Sequence, residues 1–272
     1  SYLESLGVRL IALDLFYVGK GREQERYTLI LDMLFEHRML VFPALIGKGL
    51  PGFSSLACGN STLDFAINPG DGRQDTMGDW AERWLETVTS YRNVVALSIE
   101  NELDVPHGGL SISGERLGDY LGWLLTLVRG KTNLPLTSKL TVEVNVRLGI
   151  KKTVLSLVDF PALDAYAYDL RSLELKLERG VAFLTANGRP QPTGYWIAEL
   201  NTKTRPDPTI TWQINSSRLT AAYLASAFAH GAGVVILYPA NRMREPEAAL
   251  FDAAGKPTSA LLALSQYIHA LS

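Results

Sequence analysis

Strand-like runs alternate with helical runs along the whole sequence, no glycine-rich nucleotide loop follows any strand, and carboxylates stand at two strand ends. Together these predict an α/β fold, a (β/α)8 TIM barrel in which the first strand is lacking or missing. Seven strand-like runs are counted, and a helical stretch precedes the first of them. Either the eighth strand lies upstream of Ser1 or the barrel closes imperfectly. A doubly wound open sheet is the alternative, but neither G-x-G-x-x-G nor G-x-x-x-x-G-K occurs after a strand. The 272 residues suit a single catalytic barrel domain over 1–272.

Composition narrows the functional classes. With 47% hydrophobic residues and a net charge of −2, the chain offers no electrostatic case for a nucleic-acid or anionic-membrane partner. One cysteine, Cys58, excludes an internal disulfide or a cysteine metal cluster. No apolar run approaches the roughly 20 residues of a membrane helix. No signal peptide is visible, and the sequence opens without methionine, so an N-terminal segment removed before Ser1 is expected and the compartment stays open.

Taken in order, Ser1 to Leu6 reads as a helix end capped by Gly7. Arg9 to Phe16 is a buried strand with Asp14 near its exit, and Glu23 to His37 an amphipathic helix with Tyr27, Ile30, Leu31 and Leu34 on one face. Met39 to Leu45 is a strand leaving into a long, turn-rich segment, Ile46 to Gly78, expected to wall a cleft. Asp79 caps a helix bearing Ala81, Trp84, Val88 and Tyr91. The aliphatic run from Val94 is a strand buried on both faces that ends in Glu100, Asn101 and Glu102. After a loop, Asp104 to Gly114, comes a helix from Glu115 to Arg129. Strands follow at Leu140 to Val146, ending at Asn145, and at Ala162 to Tyr168. A helix over Leu173 to Asn187 leads into the strand Gly194 to Asn201, which carries Glu199. An alanine-rich helix at Arg218 to His230, a strand at Gly233 to Tyr238 and a helix at Ser259 to Leu271 complete the chain.

In a parallel barrel, chemistry sits at the C-terminal ends of the strands. Glu102 and Glu199 occupy two such ends, and a carboxylate late in a buried strand needs a partner or a cleft. Asn101, Asn145, Tyr166, Tyr168, Asp14 and Tyr238 stand at the exits of their strands as candidate substrate contacts. Trp80 and Trp84 read as core, His37 and His230 as helix-end residues, and His107 as a loop residue on the catalytic face. Four scattered histidines do not compose a metal site.

The Asn101-Glu102 pair, Glu199 about a hundred residues on, and the tail Leu250-Phe251-Asp252-Ala253-Ala254-Gly255-Lys256-Pro257 resemble clan A glycoside hydrolases, such as the family five cellulases and mannanases. The resemblance implies that Glu102, at the end of strand four, is the acid/base and that Glu199, ending strand seven, is the nucleophile. It implies that Asn101 bonds the sugar 2-hydroxyl and that Tyr168 or Tyr166 bonds the nucleophile. The chain departs from family five elsewhere. Ala12 stands where an arginine is usual, no histidine ends the strand at Leu45, and Tyr166-Ala167-Tyr168 replaces His-x-Tyr. Tyr238 stands in place of a tryptophan.

The expected function is therefore a retaining glycosidase acting on a β-linked sugar or oligosaccharide with no cofactor. A carbohydrate-binding barrel without turnover is the rival, motivated by the changed surroundings at Ala12, Leu45 and Tyr238. A barrel enzyme using the same glutamates for proton transfer on a non-glycoside is a third reading.

Overall fold

The computed structural model describes residues 5, 7–58, 61–67, 74–105, 112–143, 147–188, 194–202, 212–238, 250–252, 254–258, 261–262 and 265–266, with backbone alone at 201, 202 and 212–218. Its fold class is that of a (β/α)8 TIM barrel with one strand fewer. The chain forms two compact units, Leu10–Thr141 with Asn145–Pro161, and Ser1–Arg9 with Val142–Val144 and Ala162–Ser272.

The first unit begins with β1 (Leu10–Leu15), α1 (Glu23–Glu36) and β2 (Leu40–Leu45). A 3₁₀ turn (Phe53–Cys58), the short antiparallel pair β3 (Ala66–Ile67) and β4 (Asp75–Thr76), and α2 (Met77–Thr89) follow. Then come β5 (Leu97–Asn101), α3 (Gly114–Arg129), β6 (Leu136–Thr141) and α4 (Leu148–Leu157). Strands β1, β2, β5 and β6 pair in parallel in that order. The α2 face Met77, Trp80, Ala81, Trp84 and Val88 is wholly buried, as a helix laid on a parallel sheet requires. Both tryptophans are core, as their helical spacing implies.

Several expectations need correction here. The helix expected from Asp79 starts at Met77, and Thr76 is the cap, its hydroxyl accepting the Asp79 amide at 3.1 Å. The strand expected over Leu140 to Val146 lies four residues earlier. All six residues of β6 are buried, including Thr137, Ser138 and Lys139; the Thr137 hydroxyl donates to the Phe160 carbonyl and Lys139 pairs with Asp14, partners that polarity alone does not reveal. Helix α4 was not expected; it spans only ten residues and its N-cap, Arg147, makes no side-chain cap bond. The segment after β2 is less irregular than its composition suggests. Phe53 and Phe65 pack edge-on at 5.6 Å and both meet Tyr120 of α3, giving the segment a core of its own.

The second unit holds β7 (Ala162–Ala167), α5 (Leu170–Ala186), β8 (Tyr195–Thr202), α6 (Trp212–Ala229) and β9 (Ala232–Leu237), with β7, β8 and β9 parallel. Helix α5 starts three residues before expectation because Asp169 caps it, accepting the Ser172 amide at 2.7 Å. Helix α6 likewise starts earlier, at Trp212. Leu224 and Leu261 pack with Val8, Val235, Leu237, Leu250 and Phe251. The tail segment closes on itself, Phe251 bridging Pro257 while Asp252 accepts the Ala254 and Lys256 amides. Asn145, His107 and most of the two terminal helices expected from the sequence lie outside the described residues. Among the described residues no helix is long and apolar enough to cross a membrane.

Candidate active site

Glu102 directly follows β5, the aliphatic strand of the first unit. Between Ser98 and Asn101 this strand carries one residue more than β6, since Ser98 pairs with Thr137 and Asn101 with Lys139. Glu100, within that bulge, has φ +63° and Glu102, just past the strand, φ +48°, both in the left-handed region that non-glycine residues avoid. Each costs about 1–3 kcal/mol and survives only where surrounding contacts over-determine it.

Those contacts are visible. The buried Glu100 carboxylate accepts the Gly47 amide at 2.9 Å, the Lys48 amide at 3.1 Å and the Tyr120 hydroxyl at 2.7 Å. Burial pushes its carboxyl up, against the pull of those donors and the Lys48 charge. The Lys48 ammonium donates to the Asn101 carbonyl at 3.2 Å, and the Glu102 amide donates to the Lys139 carbonyl at 2.9 Å. Two residues on, the fully buried Asp104 accepts the Thr141 amide and pairs with Lys151 at 2.5 Å. Burial raises the Asp104 carboxyl too, with Lys151 opposing.

Asp14, on β1, lies 3.3 Å from the buried Lys139 ammonium, so the chain Asp14–Lys139–Glu102 links three strand ends of this unit. The side-chain oxygen of Asn101 is buried with no hydrogen-bond partner among the described residues, an acceptor available to a ligand hydroxyl.

In the second unit, Glu199 is the fifth residue of β8 and 7% exposed. A register shift precedes it as well: Leu163 pairs with Ile197, but Asp164 pairs with Glu199. The extra residue, Ala198, re-aims the strand immediately before the carboxylate. Tyr166 of β7 donates its hydroxyl to Glu199, and its ring meets Tyr238 edge-on at 6.3 Å. Of the two tyrosines weighed for that hydrogen bond it is thus Tyr166 that makes it, while Tyr168 is 48% exposed. Within the second unit Glu199, Tyr166 and Tyr238 are brought together; Asp14, Asn101 and Glu102 belong to the first unit.

Sequence reasoning passed over Glu100, Asp104, Lys139 and Lys151. A signal existed, since Glu100, Glu102 and Asp104 alternate where a strand ends, but period-two counting does not distinguish a solvated carboxylate from a clamped one. Among the described residues no group of three or more His, Cys, Asp or Glu side chains could hold a metal.

No family model matches this sequence, and no curated protein matches it by sequence. The fold has many solved counterparts. A family 1 β-glucosidase from Thermotoga maritima superposes with a TM-score of 0.71 at 10% identity, covering 98% of this chain and 84% of its own. A GH2 β-galacturonidase from Eisenbergiella tayi, solved with galacturonate, gives 0.67 at 14% identity over 99% of this chain. An exo-β-1,4-mannosidase, Op5Man5 from Opitutaceae bacterium strain TAV5, gives 0.65 at 14% over 98%. This chain spans 46% of the galacturonidase and 54% of the mannosidase.

Proposed function

We propose that this chain is a glycoside hydrolase that cleaves a β-linked sugar or oligosaccharide with retention, using Glu102 as acid/base and Glu199 as nucleophile. The observation that carries the reading is the Tyr166–Glu199 hydrogen bond: a buried carboxylate late in a parallel strand, held by a phenol beside a second aromatic ring. Support comes from the fold, which is shared with proteins described as a β-glucosidase, a β-galacturonidase and an exo-β-1,4-mannosidase.

In this reading Glu102 donates its proton to the leaving oxygen while Glu199 attacks the anomeric carbon, breaking the glycosidic bond and forming a glycosyl ester. The negative charge of Glu199 holds the proton on Glu102 until attack. Esterification removes that charge, the Glu102 carboxyl becomes more acidic, and its carboxylate then takes a proton from water, which attacks the ester. Tyr166 orients the Glu199 carboxylate, and Asn101 offers the sugar 2-hydroxyl its side-chain oxygen, which has no partner among the described residues. Tyr238 presents an aromatic ring to the sugar, while Asp14, Asn145 and Tyr168 are the remaining candidate sugar contacts.

The test is release of nitrophenolate from 4-nitrophenyl β-glucoside, β-galactoside, β-mannoside, β-glucuronide and β-galacturonide. At least one should be turned over, Glu199→Gln should abolish turnover, and proton NMR should show the β-anomer released first. An α product from a β-glycoside overturns retention. Saturable binding without release favours the carbohydrate-binding barrel instead.

A further inference from the structure

We propose that Glu100 is a positioning residue for Glu102, and that together with the Gly47–Lys48 turn it sets the direction from which the acid/base carboxyl reaches the substrate. The proposal rests on the reading of Glu102 as acid/base. Glu100 is fully buried and has no part in the chemistry derived above, so an acid at this position needs another reason. The geometry supplies one. The turn grips the strand end twice, through its two amides on the Glu100 carboxylate and through the Lys48 ammonium on the carbonyl of Asn101.

That carbonyl belongs to the same peptide plane as the Glu102 amide, which donates to Lys139. The plane preceding Glu102 is therefore held from both sides, and with it the left-handed φ of +48° that orients the Glu102 Cα–Cβ bond. Gly47 shows that the contact is built for a carboxylate. A Cβ there would lie 2.6 Å from both Glu100 Oε1 and the Tyr120 hydroxyl, so only glycine lets the backbone approach so closely. Glu100→Gln keeps one acceptor oxygen but turns an amino group toward a backbone N–H, loosening the grip without changing side-chain size.

A residue that only cements the fold lowers turnover of all substrates alike. A residue that aims the general acid matters most where the leaving group needs a proton. The test compares phenyl with 2,4-dinitrophenyl β-glycosides of the glucose, galactose and mannose series for the wild type, Glu100→Gln, Lys48→Met and Glu102→Gln. Folding is checked by near-ultraviolet circular dichroism. Glu102→Gln should steepen the leaving-group dependence. Glu100→Gln should do the same to a smaller extent, with kcat on the phenyl glycoside falling about tenfold more than on the dinitrophenyl one. Lys48→Met, which keeps the Lys48 amide and removes the ammonium with its contact to the Asn101 carbonyl and its charge near Glu100, should follow in the same direction and serves should Glu100→Gln not fold. A steeper dependence in Glu102→Gln with equal losses on both substrates in the other two variants overturns the positioning role and leaves the glycosidase reading standing. A wild type inactive on every glycoside, or an unchanged slope in Glu102→Gln, overturns both.

Discussion

The Lys151 ammonium lies 2.5 Å from the Asp104 carboxylate with both side chains sealed from solvent, two residues beyond the candidate acid/base. The pair ties α4 to the segment after β5, and the Thr141 amide also donates to the carboxylate. Removing one member of such a pair leaves an uncompensated buried charge.

Lys151→Met should therefore lower the unfolding free energy by about 3–5 kcal/mol near neutral pH. The sign of its pH dependence follows from the Asp104 carboxyl, which burial raises above its ordinary value of 3.8 and which loss of Lys151 raises further. A group raised in the folded state takes up its proton there first, so the penalty is absent below about 3.8 and grows as pH climbs through the folded value. Urea unfolding at pH 5 and pH 8 should show the smaller deficit at pH 5. An equal deficit at both values counts against an ionised, orphaned Asp104.

Tyr166→Phe tests the other carboxylate. Loss of a donor to a charged group costs about 1.5–3 kcal/mol, which as lost transition-state stabilisation is about a tenfold to hundredfold fall in kcat/KM. Stability should change little, since the ring and its contact with Tyr238 remain. Unaltered kinetics on an activated β-glycoside would remove Tyr166 from the machinery.

The barrel class was legible because it depends on alternation, and buried runs such as Val94 to Ile99 advertise themselves by composition. Strand ends were legible too, where an aliphatic run gives way to Glu100-Asn101-Glu102 or Ala198 to Glu199. The faces were not. A one-residue bulge precedes each candidate glutamate, at Ile99–Glu100 and at Ala198, and a bulge reverses every side-chain direction after it. Strand β6 was misplaced for a related reason: Lys139 is buried against Asp14, a partner 125 residues away in sequence. Tyr166 and Tyr168 have the same parity in the strand expected from the sequence, but the strand ends at Ala167, so Tyr166 pairs with β8 while Tyr168 lies past its end.

Gly47→Ala tests close packing directly. Its added Cβ meets Glu100 and Tyr120 atoms at 2.6 Å and Met77 Sδ at 3.0 Å, in a region where Tyr120 and Met77 are fully buried. Overpacking of this kind costs about 1–3 kcal/mol. Thermal unfolding should show a lowered midpoint, and Gly47→Ala combined with Tyr120→Phe should recover little, because the Glu100 clash persists. Full recovery in the double variant would place the strain on Tyr120 alone.

Arg83 offers a prediction in which the pH dependence of stability weakens. Its guanidinium grips Asp75 with two bonds, at 2.9 and 2.7 Å, and reaches Glu23 at 3.4 Å. Burial raises the Asp75 carboxyl, but the Arg83 bonds and charge, together with a Tyr17 hydrogen bond and the Lys20 charge, outweigh it and hold the group below its ordinary value of 3.8. A group lowered in the folded state contributes stability above about 3.8 that is lost as pH falls through the folded value. In Arg83→Met the burial remains and only the Tyr17 hydrogen bond and the Lys20 charge oppose it, so the Asp75 carboxyl rises and the stability it contributes at higher pH shrinks. The loss near neutral pH should be about 2–3 kcal/mol, below that for a wholly buried pair because the guanidinium is partly solvated. Urea titrations of both proteins from pH 3 to pH 7 decide the matter. The deficit of the variant should widen steadily with pH, and a constant deficit would mean that Asp75 titrates alike in both.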